Sequence, residues 1–134
     1  APFYVLHEEI FRDNYRRFFQ AFQTRYRPIR IGYSYKTNYL PCLCRLVRDL
    51  GGDAEVVSRL EYDLALRIGQ DPRRIIFNGP VKPDADLELA LTLGSTVNLD
   101  SWSEVNQVAS FRRAHPEVVP RLGLRINCHL MDQA

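Results

Sequence analysis

Short apolar runs alternate along the chain with longer stretches in which apolar residues recur every three or four positions. Five of the short runs predict buried β-strands, at residues 29–36, 54–57, 74–78, 96–100 and 121–127. A strand therefore begins about every 20 residues, a repeat length that is typical of βα units. Because alternating strands and helices form parallel sheets with right-handed crossovers, the pattern predicts an α/β fold.

The first helix is predicted at residues 7–26, ahead of Pro28, which stops it. Five aromatic residues follow helical spacing and form one face of this helix: Phe11, Tyr15, Phe18, Phe22 and Tyr26. An apolar face of this kind predicts packing against the protein core. Residues 3–6 form another short apolar run, which is predicted to be a strand.

Local sequence signals predict where four further helices begin and end. One is predicted over residues 40–50, with Pro41 in its first turn and Gly51 at its end. The next begins at Ser58 and ends at Gly69, another runs from Asp84 or Asp86 to Gly94, and the last runs from Ser101 to about His115. The pairs Ser58–Glu61 and Ser101–Glu104 fit the capping box, in which a serine and a glutamate three residues later satisfy free N–H groups.

Two architectures fit this order of elements, an open doubly wound sheet and a (β/α)8 barrel. Polar residues lie at or just past the end of each predicted strand: Lys36, Glu55 with Ser58, Asn78, Asp100 and Arg125. In a barrel the carboxyl ends of all strands converge on the face that carries the chemistry, so this distribution favours the barrel. No Gly-x-Gly-x-x-Gly motif or phosphate loop follows any strand, which argues against a nucleotide-binding open sheet.

Lys36 stands out because the chain has only one other lysine, Lys82. A lysine at a strand end beside Tyr33 and Tyr35 is expected to lose water, and the neutral amine that this favours can attack a carbonyl. The alternative is a side chain that extends past the strand end into water. Lys82 follows a Gly-Pro turn and precedes Pro83, so it is expected to be solvated.

Composition narrows the class of protein. The chain has 134 residues, a net charge of +2 and 46% hydrophobic residues, which is ordinary for a soluble globular protein. It shows no membrane-span-length apolar run, and residues 1–7 are not expected to be a signal peptide. Its small charge gives no reason to expect nucleic acid or a membrane surface as partner. The three cysteines lack zinc-ligand spacing, so we expect reduced thiols, no metal site and a cytoplasmic location.

Several motifs occur in the order found in one known family. They are Pro2-Phe3-Tyr4-Val5, Tyr33-Ser34-Tyr35-Lys36-Thr37-Asn38, Glu55-Val56-Val57-Ser58, Ile76-Phe77-Asn78-Gly79-Pro80-Val81-Lys82, Asn98-Leu99-Asp100-Ser101 and Leu124-Arg125-Ile126-Asn127. In this order the chain resembles the fold-type III pyridoxal-phosphate decarboxylases, the diaminopimelate, ornithine and arginine decarboxylase group. The resemblance implies the first five strands of the alanine racemase-like (β/α)8 barrel, with residues 1–6 in a strand of a separate β-domain.

The resemblance also implies residue roles. Lys36 matches the lysine that holds pyridoxal 5'-phosphate as a Schiff base, and Ser34 matches the small residue beside it. Glu55, Ser58 and Arg125 match cofactor-binding positions, with Asn78 and Asp100 as further residues of the active face. The chain departs from the family pattern in three places: Glu55 replaces the usual aspartate, Tyr35 a small aliphatic residue and Cys128 a proline.

The function implied by the resemblance is decarboxylation of a basic or diamino acid by a homodimer. The family's remaining cofactor contacts and its subunit-interface cysteine motif would lie beyond Ala134, so the 134 residues alone are expected to be an inactive fragment. Two alternatives stay open, another pyridoxal-phosphate reaction such as racemisation and an inactive homologue that binds a partner. Against a racemase, the residues after Lys36 are Thr37-Asn38-Tyr39 and not the Ala-Asn-Ala typical of alanine racemases.

Overall fold

The computed structural model describes residues 2–126, which form one five-stranded sheet and five α-helices. In chain order the elements are α1 Glu8–Gln23, β1 Gly32–Ser34, α2 Pro41–Asp49, β2 Asp53–Val56, α3 Arg59–Arg67, β3 Ile75–Phe77, α4 Asp84–Thr92, β4 Thr96–Leu99, α5 Trp102–Ala114 and β5 Arg121–Leu124. The predicted βα alternation is confirmed throughout. β2 lies one residue earlier than predicted, and the other four strands are shorter than predicted.

The strands lie in sequential order, β1-β2-β3-β4-β5, and each neighbouring pair is parallel. A doubly wound sheet would need a point at which the strand order reverses. Sequential right-handed crossovers instead place every connecting helix on the same side of the sheet. The order therefore excludes the doubly wound alternative and confirms the prediction that these are successive strands of a barrel.

The hydrophobic core lies between this sheet and its helices. It contains alternate strand residues together with residues that the helices contribute: Ala54, Val56, Ile75, Phe77, Val97 and Leu99 from the sheet, and Cys44, Tyr62, Ala65, Leu87, Ala90, Leu91, Val108 and Phe111 from the helices. Because side chains alternate between the two faces of a strand, the residues between these core positions lie on the opposite face, which in a barrel is the interior.

The predicted helix boundaries follow from local chemistry. Ser58 Oγ accepts a hydrogen bond from Glu61 N at 3.4 Å, and Ser101 Oγ accepts one from Glu104 N at 3.3 Å. Helices α2, α3 and α4 are each followed by a glycine with φ between 77° and 83°, a left-handed conformation that glycine adopts without steric cost. These residues stop each helix and turn the chain towards the next strand.

The prediction for the first helix was correct in type but wrong in two respects. Helix α1 ends at Gln23, and its aromatic face is only partly covered. The Phe11 ring packs edge-on against Tyr33 with 6.5 Å between ring centroids. Phe18, Phe22 and Tyr26 are exposed, so the predicted apolar face is not buried along the second half of the helix.

The strand predicted at residues 3–6 is not formed. Residues 2–7 belong to no helix or strand, and Phe3, Tyr4 and Val5 are each more than three-quarters exposed. A strand needs a neighbouring strand to accept its backbone hydrogen bonds, and no strand of the described chain lies beside this segment. Its assignment to a separate β-domain stays a prediction.

The two cysteines of α2 face different environments: Cys42 is exposed and Cys44 is fully buried in the core. Burial raises the pKa of the Cys44 thiol to about 11, so it keeps its proton well above neutral pH. Because the thiolate is the reactive form, we expect iodoacetamide at about pH 8.5 to alkylate Cys42 and to spare Cys44.

Peptide mapping of the native protein after alkylation measures both sites. Alkylation of Cys44 should rise only as the pH approaches the raised pKa or when urea unfolds the protein, and the urea sample serves as the control for intrinsic reactivity. Equal rates at the two cysteines in the native protein would show that α2 does not bury Cys44 as described.

Candidate active site

The stretch around Lys36 forms a tight, internally bonded turn at the end of β1. Thr37 donates to the Ser34 carbonyl oxygen from both its N–H, at 3.3 Å, and its hydroxyl, at 2.8 Å. The Tyr33 hydroxyl donates to the Asn38 carbonyl oxygen at 3.1 Å. These bonds hold the backbone on either side of Lys36, so the position at which its side chain leaves the sheet is defined.

Strand alternation separates Lys36 from its aromatic neighbours. Tyr35 is buried and Tyr33 half-buried on the helix side, where their rings lie 6.1 Å apart and contact the core. Ser34 and Lys36 lie on the barrel-interior side, and Lys36 is exposed. The prediction that Tyr33 and Tyr35 desolvate Lys36 is therefore wrong. Successive side chains of a strand point to opposite faces, and Tyr35 and Lys36 continue this alternation in the turn that follows β1.

The tyrosines take part in the core instead. Burial, followed by the neighbouring Cys44, raises the pKa of Tyr35 and of Tyr33 above the ordinary value for tyrosine. Both phenols are therefore neutral at physiological pH and act as packing groups under the strand.

On the interior face, hydrogen bonds link three polar side chains in series from one strand to the next. Asn98 Nδ2 donates to Asn78 Oδ1 at 3.0 Å, and Asn78 Nδ2 donates to Glu55 Oε1 at 2.9 Å. A Cβ atom at Gly123 would overlap the Asn98 amide, so glycine on β5 leaves the space that Asn98 occupies. The longer Glu55 side chain, which stands where the family usually has aspartate, is thereby anchored at one oxygen.

Arg125 follows β5 directly and forms an ion pair with Asp100, which follows β4 directly. Arg125 Nη1 lies 2.9 Å from Asp100 Oδ1, and both side chains are partly exposed. An arginine held by one carboxylate keeps further N–H donors free for another anion, because the guanidinium carries five. Asp100 therefore orients Arg125 at the carboxyl end of the sheet.

A cavity of about 410 Å³ opens at this end of the sheet. Its lining contains five of the residues predicted to form the site, with Val57 and Pro80: Ser34, Lys36, Glu55, Asn78 and Arg125. Two predicted residues do not line it. Asp100 acts through Arg125, and the Ser58 hydroxyl is engaged at the start of α3.

The prediction that Lys82 is solvated is wrong. Its side chain is fully buried, and its Nζ donates to the Gly79 carbonyl oxygen at 2.6 Å and lies 2.9 and 3.0 Å from the two carboxylate oxygens of Glu104. The Gly-Pro turn does not send Lys82 into solvent, because the chain folds it back onto α5. Asn98 on this face and the buried Lys82–Glu104 pair near it were not predicted from the sequence. Only for Asn98 did the sequence carry a signal, since it lies two strand positions before Asp100 and so shares its face.

Within residues 2–126 no three His, Cys, Asp or Glu side chains are grouped as a metal site would require. No helix in the same part of the chain has the length and apolar character that crossing a membrane requires.

Relatives and solved structures agree on the kind of protein this chain resembles. It is 34% identical over 127 residues to a diaminopimelate decarboxylase of Methanothermobacter thermautotrophicus, an alignment that covers 95% of this chain and 28% of that protein. It is 38% identical over 130 residues to a probable chloroplastic diaminopimelate decarboxylase of Oryza sativa, covering 95% of this chain and 25% of the relative. The crystal structure of the M. jannaschii diaminopimelate decarboxylase with L-lysine superposes with a TM-score of 0.83 at 28% identity, over 93% of this chain and 30% of that one.

The chain thus spans between a quarter and a third of the length of these relatives. A family described as "Pyridoxal-dependent decarboxylase, pyridoxal binding domain" matches residues 12–133, which is most of the chain. The chain therefore belongs to the pyridoxal-dependent decarboxylase family, with its match in the pyridoxal-binding domain of that family.

Proposed function

We propose that this chain is the first part of the barrel of a pyridoxal-phosphate-dependent amino-acid decarboxylase, with Lys36 as the covalent attachment point of the cofactor. One observation supports the proposal: Lys36 lines a cavity at the carboxyl end of the sheet together with Ser34, Glu55, Asn78 and Arg125. When bound, the cofactor supplies an electron sink that stabilises the carbanion left by loss of carbon dioxide.

The donor set of the cavity fits such a cofactor. Lys36 offers a primary amine, the group that condenses with an aldehyde, and no salt bridge within residues 2–126 occupies it. Arg125 offers a cation for an anionic group of cofactor or substrate, and the amide and carboxylate of Asn78 and Glu55 can hydrogen-bond to ring substituents. A cavity of about 410 Å³ lies in the size range of cofactor sites.

Each residue then has a distinct task. Lys36 holds the cofactor, Ser34 leaves room beside it and Arg125 fixes a negative charge at the rim. Glu55 is proposed to contact the cofactor through the oxygen that Asn78 does not hold. Ser58 remains a proposed cofactor contact on the family resemblance, although its hydroxyl is engaged with the Glu61 N–H.

The proposed substrate is a basic or diamino acid, supported by the names of the relatives and by the L-lysine complex of the M. jannaschii protein. A homodimer and a cytoplasmic location are proposed on the family resemblance. The remaining cofactor contacts are proposed to come from sequence outside these 134 residues, so the segment alone is not expected to turn over substrate.

Reductive labelling of the full-length protein tests the attachment point. After incubation with pyridoxal phosphate and borohydride reduction, peptide mapping should place the pyridoxyl label on Lys36. Lys82 is an internal control in the same digest, because its buried ammonium already contacts three acceptors and should stay unlabelled. Label on Lys82, or on no lysine of this segment, would refute the assignment.

A further inference from the structure

The buried pair of Lys82 and Glu104 joins two loops that border the candidate site. The Lys82 ammonium reaches the Gly79 carbonyl oxygen in its own β3–α4 loop and both carboxylate oxygens of Glu104 in α5. An ammonium has three N–H donors, so these contacts satisfy it completely without water. The Phe77 ring centroid lies 5.8 Å away and closes the remaining side.

Glu104 connects Lys82 to residues at the rim of the site. Its Oε2 atom accepts a hydrogen bond from the Asp100 N–H at 2.8 Å. The Asp100 carboxylate in turn holds Arg125 at 2.9 Å. A continuous series of polar contacts therefore runs from the Gly79 carbonyl through Lys82, Glu104 and Asp100 to Arg125, across three successive strand ends.

Helix capping alone does not explain why Lys82 is buried beside Glu104. Glu61 occupies the equivalent position two βα units earlier: it follows the capping serine by three residues, it is buried, and its Oε2 accepts from the Val57 N–H at 2.8 Å. Among the described residues no lysine or arginine forms a salt bridge with Glu61. The capping box thus works without a buried cation, and burying one requires desolvation that capping does not need.

We infer that Lys82 is a positioning residue: by tying the β3–α4 loop to Glu104 it sets the place of Asp100 and, through it, aims Arg125 into the cavity that contains Lys36. This inference depends on the proposed function, because the cavity lined by Lys36 and Arg125 is the proposed cofactor site. Lys82 is not among the residues that line the cavity, and its hydrogen bonds go to the Gly79 carbonyl oxygen and to Glu104.

The test uses three variants of the full-length protein. Lys82→Met removes the ammonium and leaves the buried Glu104 carboxylate without a cation, with the Asp100 N–H still donating to it. Lys82→Met/Glu104→Gln removes both charges and keeps an oxygen that can accept from the Asp100 N–H, so it relieves the unpaired charge. Asp53→Asn is the matched control, because Asp53 is equally buried and paired with Arg30 and Arg74 at the opposite, amino-terminal end of the sheet.

Three readouts separate positioning from stability: the urea midpoint, the Kd for pyridoxal phosphate by absorbance titration of the apo protein, and hydrogen exchange of the apo protein. Lys82→Met should lower the midpoint, and the double variant should regain most of it. Both variants should raise the Kd for pyridoxal phosphate by about tenfold or more, because Arg125 would then be misplaced relative to the cavity. Both should speed exchange in residues 79–82 and 100–101, whereas Asp53→Asn should lower the midpoint alone.

A double variant with wild-type cofactor affinity and wild-type exchange in both loops would overturn the inference and leave the pair a structural one. If the wild-type protein itself fails to bind pyridoxal phosphate, the proposed function fails. Hydrogen exchange then still decides whether Lys82 couples the two loops, because that measurement needs no cofactor.

Discussion

Lys36→Ala in the full-length protein is expected to abolish decarboxylation and covalent retention of pyridoxal phosphate. The variant removes the amine proposed to attach the cofactor, and Lys82 cannot replace it because its ammonium is buried and fully bonded. The free energy of unfolding should stay within about 0.5 kcal/mol of wild type, since Lys36 is exposed and surface substitutions usually have effects of that size.

Lys36→Arg is the matched control for charge. Arginine keeps a cation at the strand end but stays protonated and cannot condense with an aldehyde, so this variant should also be inactive. Turnover by single-turnover assay, the absorbance of bound cofactor and the urea midpoint are measured together. Wild-type turnover in Lys36→Ala would show that Lys36 is not the attachment point.

Gly79→Ala is expected to have the largest effect on stability of any single methyl addition near the site. A Cβ atom at Gly79 would overlap the Val57 carbonyl oxygen and lie 3.0 Å from its carbon. These are backbone atoms of the residue that follows β2, so no side-chain rotation can relieve the overlap. We expect a loss of about 3 kcal/mol, near the upper end for overpacking, with displacement of the loop that carries Asn78 and Pro80.

Gly32→Ala is its control, because there the nearest atom to the added Cβ is Ile76 Cδ1 at 3.5 Å, an ordinary contact. Urea unfolding of the three proteins compares them directly. Equal midpoints for Gly79→Ala and Gly32→Ala would mean that the two loops do not approach as closely as described.

Helix and strand positions were predictable because local signals decide them. The capping hydroxyls of Ser58 and Ser101 act over three residues, and glycines at positive φ end helices through their own backbone. The even spacing of βα units then determined parallel pairing and brought Lys36 and Arg125 to the same end of the sheet. The core of the candidate site could thus be named from sequence position alone.

The environment of each lysine could not be predicted in this way. Lys82 lies in a Gly-Pro-rich turn that is typical of solvated loops, yet it is buried because Glu104, 22 residues away, meets it between α5 and the sheet. Lys36 follows two tyrosines, yet it is exposed because strand alternation directs their rings to the other face. For neither lysine did the neighbouring residues in the sequence indicate whether its side chain is buried.

The division between sequence and tertiary structure follows from the range of the interactions. Caps, turns and strand periodicity depend on residues within a few positions, so the chain's βα order and the strand ends that carry Lys36, Asn78 and Arg125 follow from the sequence. Burial and pairing of charges depend on residues one or two βα units away. The Asn98–Asn78–Glu55 chain and the Lys82–Glu104 pair, with separations of 20 to 23 residues, therefore emerged only when the sheet brought its strand ends together.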